Sequence, residues 1–362
     1  MRDFMEFALR RYFDSIGWSE DKYYSSLNAT SSRILDFGVP IGLNMALGKS
    51  ISPYLKSAYS ISVPDRRSLA FMFTSVPVEL PAQPVLDEPL SGTGTAATPG
   101  WGWATTGSYF SFLSGGGKTK AAGESAGAAG QAAQGMAAGG RRPYLLFGRL
   151  FEDLRLEGLY AHSIDKDTLF VASALSDWKW SGGLEQDDSH INAQVIFNRP
   201  EACAELSFNS DSLIIGGSVL GQVSPNWSIG TEVFYTAKER SGGLSLGAKF
   251  RKDYDGGADS TLTFVANPVM GHVGAAYATT VAKDMEMATR YDFNVYSFDA
   301  DVGVGIEYAP AGQDQVLKGK LSLAEGLSLR FDGRIRGALY SLGMSTAFGP
   351  EPRPSIGLQV QV

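Results

Sequence analysis

The sequence predicts an all-β protein: a transmembrane β-barrel of about 19 strands, preceded by an N-terminal amphipathic helix. Three observations lead to this prediction. Large apolar residues recur at every second position in windows spread through most of the 362 residues. Glycine accounts for 43 residues and only 19% of residues are charged. No run of about 18 uncharged apolar residues could form a transmembrane helix, so a membrane protein of this sequence must be a closed barrel.

The N-terminal segment predicts a helix over about residues 3–16, because its apolar residues recur at helical spacing. Gly17, of the residue type that most often follows a helix, marks the predicted end. Charged residues interrupt any secretory signal, and three acidic residues by Asp14 disfavour a mitochondrial presequence. We predict that residues 1–30 form the N-terminal helix and the segment that connects it to the barrel. We expect the helix to lie inside the lumen with its apolar face against the wall.

The strands are predicted from a strict period of two. From Leu35 to Leu47 every odd position is large and apolar, whereas the even positions are polar, small or proline. The same alternation recurs at 59–63, 69–73, 227–235, 244–250, 298–308 and 327–335. A soluble β-sandwich would also alternate, but these windows run to about 9–13 residues, closer to the length of membrane strands. Solubility without detergent would favour the sandwich.

A single barrel is expected over residues 31–362, interrupted by a long loop at about 77–141. The residues left outside the loop and the lead-in, at about 14 per strand and turn, give about 19 strands. An odd count requires the first and last strands to close in parallel. The loop begins proline-rich and ends in a glycine–alanine stretch that we expect to be disordered; Trp101–Leu113 between them is read as loop or as a barrel-mouth contact.

Composition and motifs exclude several function classes. A net charge of −7 without basic blocks argues against nucleic-acid binding. The single Cys203 excludes an internal disulfide and a cysteine-based metal site. The run GGGKTK at 115–120 lacks the first glycine of a phosphate-binding loop, since Phe112 occupies that position. The three histidines are scattered, so we expect no enzyme, no cofactor and no metal.

Several stretches closely resemble the family of the fungal mitochondrial distribution and morphology protein ten. They are TRYDFNVYSF at 289–298, NPVMGHVGAAYA at 267–278, SSRILDFGVP at 31–40 and the N-terminal FMEFALRRYF. The resemblance implies a 19-stranded barrel of the mitochondrial outer membrane with two tasks. One is association with the sorting and assembly machinery, both its barrel and its cytosolic subunits, which matures other barrel proteins. The other is anchoring the ER–mitochondria encounter structure, whose subunits exchange membrane lipids between organelles.

The resemblance also implies two docking sites. Tyr291, Phe293 and Tyr296 match a motif implicated in docking to the assembly machinery; we expect Tyr291 and Phe293 on one strand face and Tyr296 facing elsewhere or beginning a turn. Phe71 and Phe73 match an aromatic pair that faces the tether. The alternative for the first set is an ordinary aromatic girdle, and for the second two lipid-facing side chains.

The C-terminus matches the sorting pattern that the resemblance implies for mitochondrial barrels, with a polar residue at Ser355, glycine at Gly357 and apolar residues at Val360 and Val362. As a strand, residues 355–362 place Ile356, Leu358, Val360 and Val362 on one face.

The second function considered is a porin-like channel for metabolites or polypeptides. Expected lumen residues mix acidic and basic side chains, so no strong selectivity filter is predicted. They are Asp299, Asp301, Glu307, Arg330, Arg334 and Arg336.

Overall fold

A computed structural model describes residues 4–19, 22–63, 67–78, 142–176, 189–253, 259–310, 314–335, 338–348 and 354–362. Two helices, α1 (Phe4–Ile16) and α2 (Ala29–Leu35), precede the strands. The strands are β1 (Gly42–Ser50), β2 (Leu55–Val63), β3 (Arg67–Thr74), β4 (Tyr144–Phe151), β5 (Leu156–Asp165), β6 (Thr168–Ser176), β7 (His190–Asn198), β8 (Ala202–Asn209), β9 (Ile214–Ser224), β10 (Trp227–Thr236), β11 (Ser241–Asp253), β12 (Asp259–Asn267), β13 (His272–Ala282), β14 (Met285–Asn294), β15 (Ala300–Tyr308), β16 (Gln315–Ser322), β17 (Gly326–Ile335), β18 (Ala338–Thr346) and β19 (Ser355–Gln361).

The strands form one closed 19-stranded sheet, as the sequence predicts. Each strand pairs antiparallel with the next one along the chain, and β1 closes the barrel by pairing in parallel with β19. In that closing pair Gly42 lies opposite Gly357 and Met45 lies opposite Val360. An odd number of alternating strands leaves the first and last pointing the same way, so the parallel pair follows from the count.

The pairing registers define an outer and an inner face. Outward positions are almost entirely apolar or small, and across the described strands their charged members are Lys49, Arg67, Asp165 and Lys252, all near strand ends. Large outward side chains such as Ile229 and Leu342 are half exposed. An exposed apolar band that encircles a barrel is stable in lipid rather than in water. The outer face is therefore the membrane-facing one.

The two open ends of the barrel are distinct. We call the end where β1 begins the start rim, which carries the turns at 268–271 and 295–299. The opposite end, called the end rim, carries the C-terminus and the long connection between β3 and β4. The predicted loop at 77–141, with its glycine–alanine stretch and Trp101–Leu113, lies outside the described residues except for 77 and 78.

Helix α1 forms as predicted and ends at Gly17, which has φ +70°. The Gly17 and Trp18 N–H groups donate to the carbonyls of Asp14 and Phe13, at 3.2 and 2.9 Å. These two bonds are a Schellman motif, which requires a left-handed residue that glycine adopts without steric cost. The helix thus stops where the sequence indicates.

The strand predicted over 35–47 is wrong in its first half. Residues 29–35 form the short helix α2, and the wall begins only at Gly42. Leu35 and Phe37 are buried inside the barrel instead of facing lipid. The alternation there comes from residues that pack within the lumen, a pattern that mimics a strand locally.

No helix in the described part of the chain is long and apolar enough to cross a bilayer.

Candidate functional site

The β3 aromatic pair lies on the outer face. Phe71 and Phe73 are 46% and 41% exposed, while the alternate residues Ala70 and Met72 point inward and pack near α1. The Phe73 ring lies 6.1 Å from the ring of Tyr144 on the next strand. Phe71 faces Gly148, beside which no atom would lie within 4 Å of an added Cβ. One edge of Phe71 is therefore open to a lipid or a partner.

The β14 aromatics divide as expected from the sequence. Tyr291 and Phe293 lie on the outer face with their rings stacked, at 6.4 Å between centroids and 10° between planes. Tyr296 lies in the following turn and is 68% exposed. Its hydroxyl donates to the carbonyl of Pro268, at 3.2 Å, and its ring covers Gly271. Tyr296 therefore joins two neighbouring turns of the start rim and is not part of the strand face.

The structure adds residues to this site that the sequence placed elsewhere. Phe298 was expected in a strand at 298–308, but it lies in the turn before β15 with φ +59° and is 78% exposed. Val269 and Val295 are also exposed in the two turns. The exposed apolar side chains of these two turns thus include Val269, Val295, Tyr296 and Phe298. A bulky residue at positive φ is strained, and no local sequence signal marks it beforehand.

The closing strand places the sorting-pattern residues on both faces. Ser355 and Gly357 point into the lumen, whereas Val360 and Val362 point outward with Ile356 and Leu358. An added Cβ on Gly357 would collide with the backbone of Pro40, where the chain enters β1. On β18, Gly343 lies opposite Gly357, and its added Cβ would lie 2.7 Å from Val39. Both glycines are thus required where the N-terminal segment crosses the seam.

Residues 4–19 and 22–40 form a plug inside the barrel. Ser25 donates to Glu205 on β8 at 3.1 Å, Thr263 on β12 donates to Asn28 at 2.7 Å, and Arg330 on β17 donates to Gly38 at 3.0 Å. The same segment contacts β3 and β4 through α1 and β13–β16 through α2. A segment of this length can touch so many strands only from within. The expected lumen position of the helix is confirmed.

Helix α1 packs against the wall mainly through its apolar face, beside a buried ion pair between Glu6 and Arg10. Leu9 and Tyr12 are fully buried, and the wall facing the helix consists of inward residues from β3 to β8. They are Ala70, Met72, Leu145, Phe147, Leu159, Ala161, Leu169, Val171, Ile196 and Cys203. The Tyr12 hydroxyl donates to the carbonyl of Pro143, at 2.8 Å. Burial raises the pKa of Tyr12 above its ordinary value, so the phenol stays a donor.

Helix α2 is held by ion pairs in addition to a small apolar cluster, in which Ile34 and Leu35 pack against Ala278 and Ala288. Arg33 forms an ion pair with Glu286 and lies 3.7 Å from Glu307, which also pairs with Lys318 at 3.2 Å. Just after the helix, Asp36 pairs with Arg290 at 2.8 Å. Burial lowers the pKa of Arg33, and the Glu307 charge opposes that shift. The guanidinium stays charged, because the ordinary pKa of arginine is far above neutral.

The expected lumen charges fall into three groups. Asp301, Glu307, Arg330 and Arg334 point inward as predicted. The first three bond within the lumen wall or with the plug, and Arg334 pairs with Asp314, just before β16, at 2.7 Å. Asp299 lies in the rim turn at 295–299 instead of the lumen. Arg336 lies outside the described residues.

The sequence profile of the family described as "Mitochondrial distribution and morphology protein 10" matches residues 1–313. The chain belongs to this family. Family membership and the closed barrel together make the chain a mitochondrial β-barrel protein of the distribution and morphology class.

Fungal relatives that carry the family name span the chain almost entirely. The protein of Coprinopsis cinerea is 25% identical over 99% of this chain and 99% of its own length. That of Laccaria bicolor is also 25% identical, with the same coverage of both chains. The protein of Podospora anserina is 27% identical over 85% of this chain and 73% of its own.

Among solved structures, a triple mutant of the Rhodopseudomonas blastica porin is similar over 59% of this chain and 90% of that chain, with 10% identity and a TM-score of 0.40.

Proposed function

We propose that this protein is a non-enzymatic barrel of the mitochondrial outer membrane with two docking sites for two assemblies. One site associates with the sorting and assembly machinery and promotes the biogenesis of other β-barrel proteins. The other anchors the ER–mitochondria encounter structure and so supports tethering, phospholipid exchange, and mitochondrial morphology and inheritance.

The observation that carries the proposal is the separation of the two aromatic sets. The β3 pair lies toward the end rim, with Phe73 one residue from the end of its strand. Tyr296 lies in a turn of the start rim. By the shorter route across the seam, β3 and β14 are eight strands apart in a barrel of 19, which is nearly half the circumference. Two partners can thus dock at once without sharing surface.

The tether site is tested by Phe71→Ala combined with Phe73→Ala. Truncating two exposed aromatic side chains at a docking site removes the groups that dominate interface energies. We expect co-purification of the tether subunits to be lost, while membrane insertion and co-purification of the assembly-machinery barrel are retained. The matched control is Phe208→Ala with Phe264→Ala, a pair of similarly exposed outward phenylalanines on β8 and β12. Unchanged co-purification of both assemblies would contradict the assignment.

The assembly-machinery site is tested separately by Tyr291→Ala with Tyr296→Ala. We expect this variant to lose co-purification of the assembly machinery and to keep co-purification of the tether subunits. Tyr308→Ala, an exposed outward tyrosine at the far end of β15, is the control. If this control behaves like the double variant, the aromatics act as a membrane girdle instead of a docking site.

A porin-like channel is the alternative function. The inward charges on β14–β17 would suit an aqueous pore, but residues 4–19 and 22–40 occupy the lumen and pair with many of those charges. We expect the purified full chain in planar bilayers to show no large, steady, selective current. Such a current would favour the channel.

A further inference from the structure

A cavity of about 480 Å³ opens on the outside of the barrel at the end rim. It lies where the turn between β5 and β6 meets the beginning of the turn after β7. Its lining combines charged side chains of both signs with one aromatic ring: Asp165, Lys166, Asp167, Thr168, Phe197 and Arg199.

The cavity lies at the boundary between lipid and water. Thr168 pairs with Phe197, and both are outward positions of their strands. Asp165 pairs with Thr168 after a bulge in β5, which turns its side chain to the same outer side. Phe197 is exposed within the apolar band, while Arg199 lies just beyond the last residue of β7. The aromatic floor is therefore in the bilayer, and the charged walls are at the depth of phospholipid headgroups.

The backbone holds this site in shape and leaves its charged side chains available. The Asn198 N–H donates to the Asp167 carbonyl at 2.8 Å, and the Arg199 N–H donates to the Ala202 carbonyl at 3.0 Å. Within the described residues, no ion pair involves the side chains of Asp165, Lys166, Asp167 or Arg199. Two cations and two carboxylates thus line one cavity without neutralising each other through contact.

We propose that this cavity binds the headgroup of a zwitterionic phospholipid with a primary ammonium. Lys166 and Arg199 take the phosphate, since charge-assisted bonds from cations to phosphate oxygens are the strong ones. Asp165 and Asp167 take the ammonium, and Phe197 contacts the upper acyl chain. An anionic lipid such as phosphatidylglycerol offers the carboxylates only neutral hydroxyl donors and no cation to balance their charge. The proposal needs the barrel to lie in a membrane but needs neither docking partner.

The test is lipid retention by the purified full chain in mild detergent, measured by native mass spectrometry. Phosphatidylethanolamine, phosphatidylcholine and phosphatidylglycerol with identical acyl chains are added in equal amounts. We expect phosphatidylethanolamine to be retained most, because its ammonium keeps three N–H donors, and phosphatidylglycerol least. Equal retention of all three, or preferential retention of phosphatidylglycerol, would overturn the proposal.

Single-residue variants test which side chains bind the phosphate and which bind the ammonium of the headgroup. Arg199→Gln should lower retention of both phosphatidylethanolamine and phosphatidylcholine by about tenfold. Asp167→Asn should lower retention of phosphatidylethanolamine alone and narrow its advantage over phosphatidylglycerol. Lys49→Gln, which removes an outward lysine at the same rim on β1, is the control and should change neither. All three sites are exposed, so folding, checked by heat-dependent gel migration, should be preserved. If Arg199→Gln matches Lys49→Gln, the cavity is not a phosphate site.

Discussion

The two sides of the lumen hold the plug by different physics. On β3–β8 the part of the inner wall that faces α1 is largely apolar, and α1 packs against it through Leu9, Tyr12 and their neighbours. On β14–β16 the inner wall is rich in charged side chains, and the ion pairs of Arg33 add to a small apolar cluster around Ile34 and Leu35. Apolar contact is non-directional and is not weakened by ionic screening, whereas buried ion pairs demand one geometry. The apolar side therefore supplies burial, and the charged side fixes the position of the plug.

The largest effect is expected on the charged side. Arg33→Met removes the cation from between Glu286 and the buried Glu307, which then keeps Lys318 as its ion-pair partner. Breaking a buried charge cluster costs up to about 3–5 kcal/mol, and we expect a loss near the lower end of this range in the free energy of unfolding, measured by urea titration of the detergent-refolded barrel. Adding Glu307→Leu together with Lys318→Met to Arg33→Met removes the other two buried charges as well and should recover part of the loss. No recovery would show that the carboxylate is not what the arginine compensates.

A substitution on the apolar side of the lumen should lower the free energy of unfolding nearly as much as Arg33→Met. Leu9→Ala leaves a cavity under α1, and buried Leu→Ala changes cost about 2–5 kcal/mol. The plug should also become cleavable within residues 4–19 when the folded barrel is treated with protease. Asp14→Asn, an isosteric change at an exposed position of the same helix, is the control and should change stability and protection far less than Leu9→Ala. Equal cleavage of the two variants would mean that α1 is not held by this face.

A smaller effect is expected where the charged side opens to water. Asp36 and Arg290 are both partly exposed, and screening reduces such pairs to about 1 kcal/mol or less. Asp36→Asn should therefore lower the unfolding free energy by no more than this. A loss as large as that of Arg33→Met would indicate that the Asp36–Arg290 pair is as shielded as the Arg33 cluster.

The smallest effect should come from salt. Raising ionic strength from 0.1 to 1 M shortens the screening length from about 10 to about 3 Å. Protection of residues around α2 from hydrogen exchange should fall slightly, while protection of α1 should not fall. A larger loss at α1 than at α2 would reverse the assignment of the two sides.

The sequence predicts the wall of this protein well because a strand's side-chain period is local. The alternation at 227–235 or 327–335 is visible within one strand and survives in the structure. The helix α1 and its end at Gly17 are local too. The ion pairs of Arg33 cannot be read this way, because its partners lie more than 250 residues away and depend on how the barrel closes.

The positions that were wrongly predicted as strand also depend on contacts that are distant in sequence. Leu35 and Phe37 alternate with small or polar residues as a strand would, and only the lumen explains why they are buried. Phe298 continues the alternation of β15 in sequence, yet a left-handed turn takes it out of the strand. The partner roles of Phe71, Phe73, Tyr291, Phe293 and Tyr296 came from resemblance alone, since exposed aromatics on a barrel do not by themselves distinguish lipid from protein.

The crossing of Pro40 over Gly357 ties the two ends of the chain together. The segment before β1 lies against the inner side of the last two strands, and the last strand also closes the wall. Once β19 has paired with β1, the side of the cylinder is shut, and the plug can enter or leave the lumen only through an open rim. The C-terminal residues, synthesised last, thus complete the wall beside the N-terminal ones, so the seam can adopt its native packing only when both ends of the chain are in place.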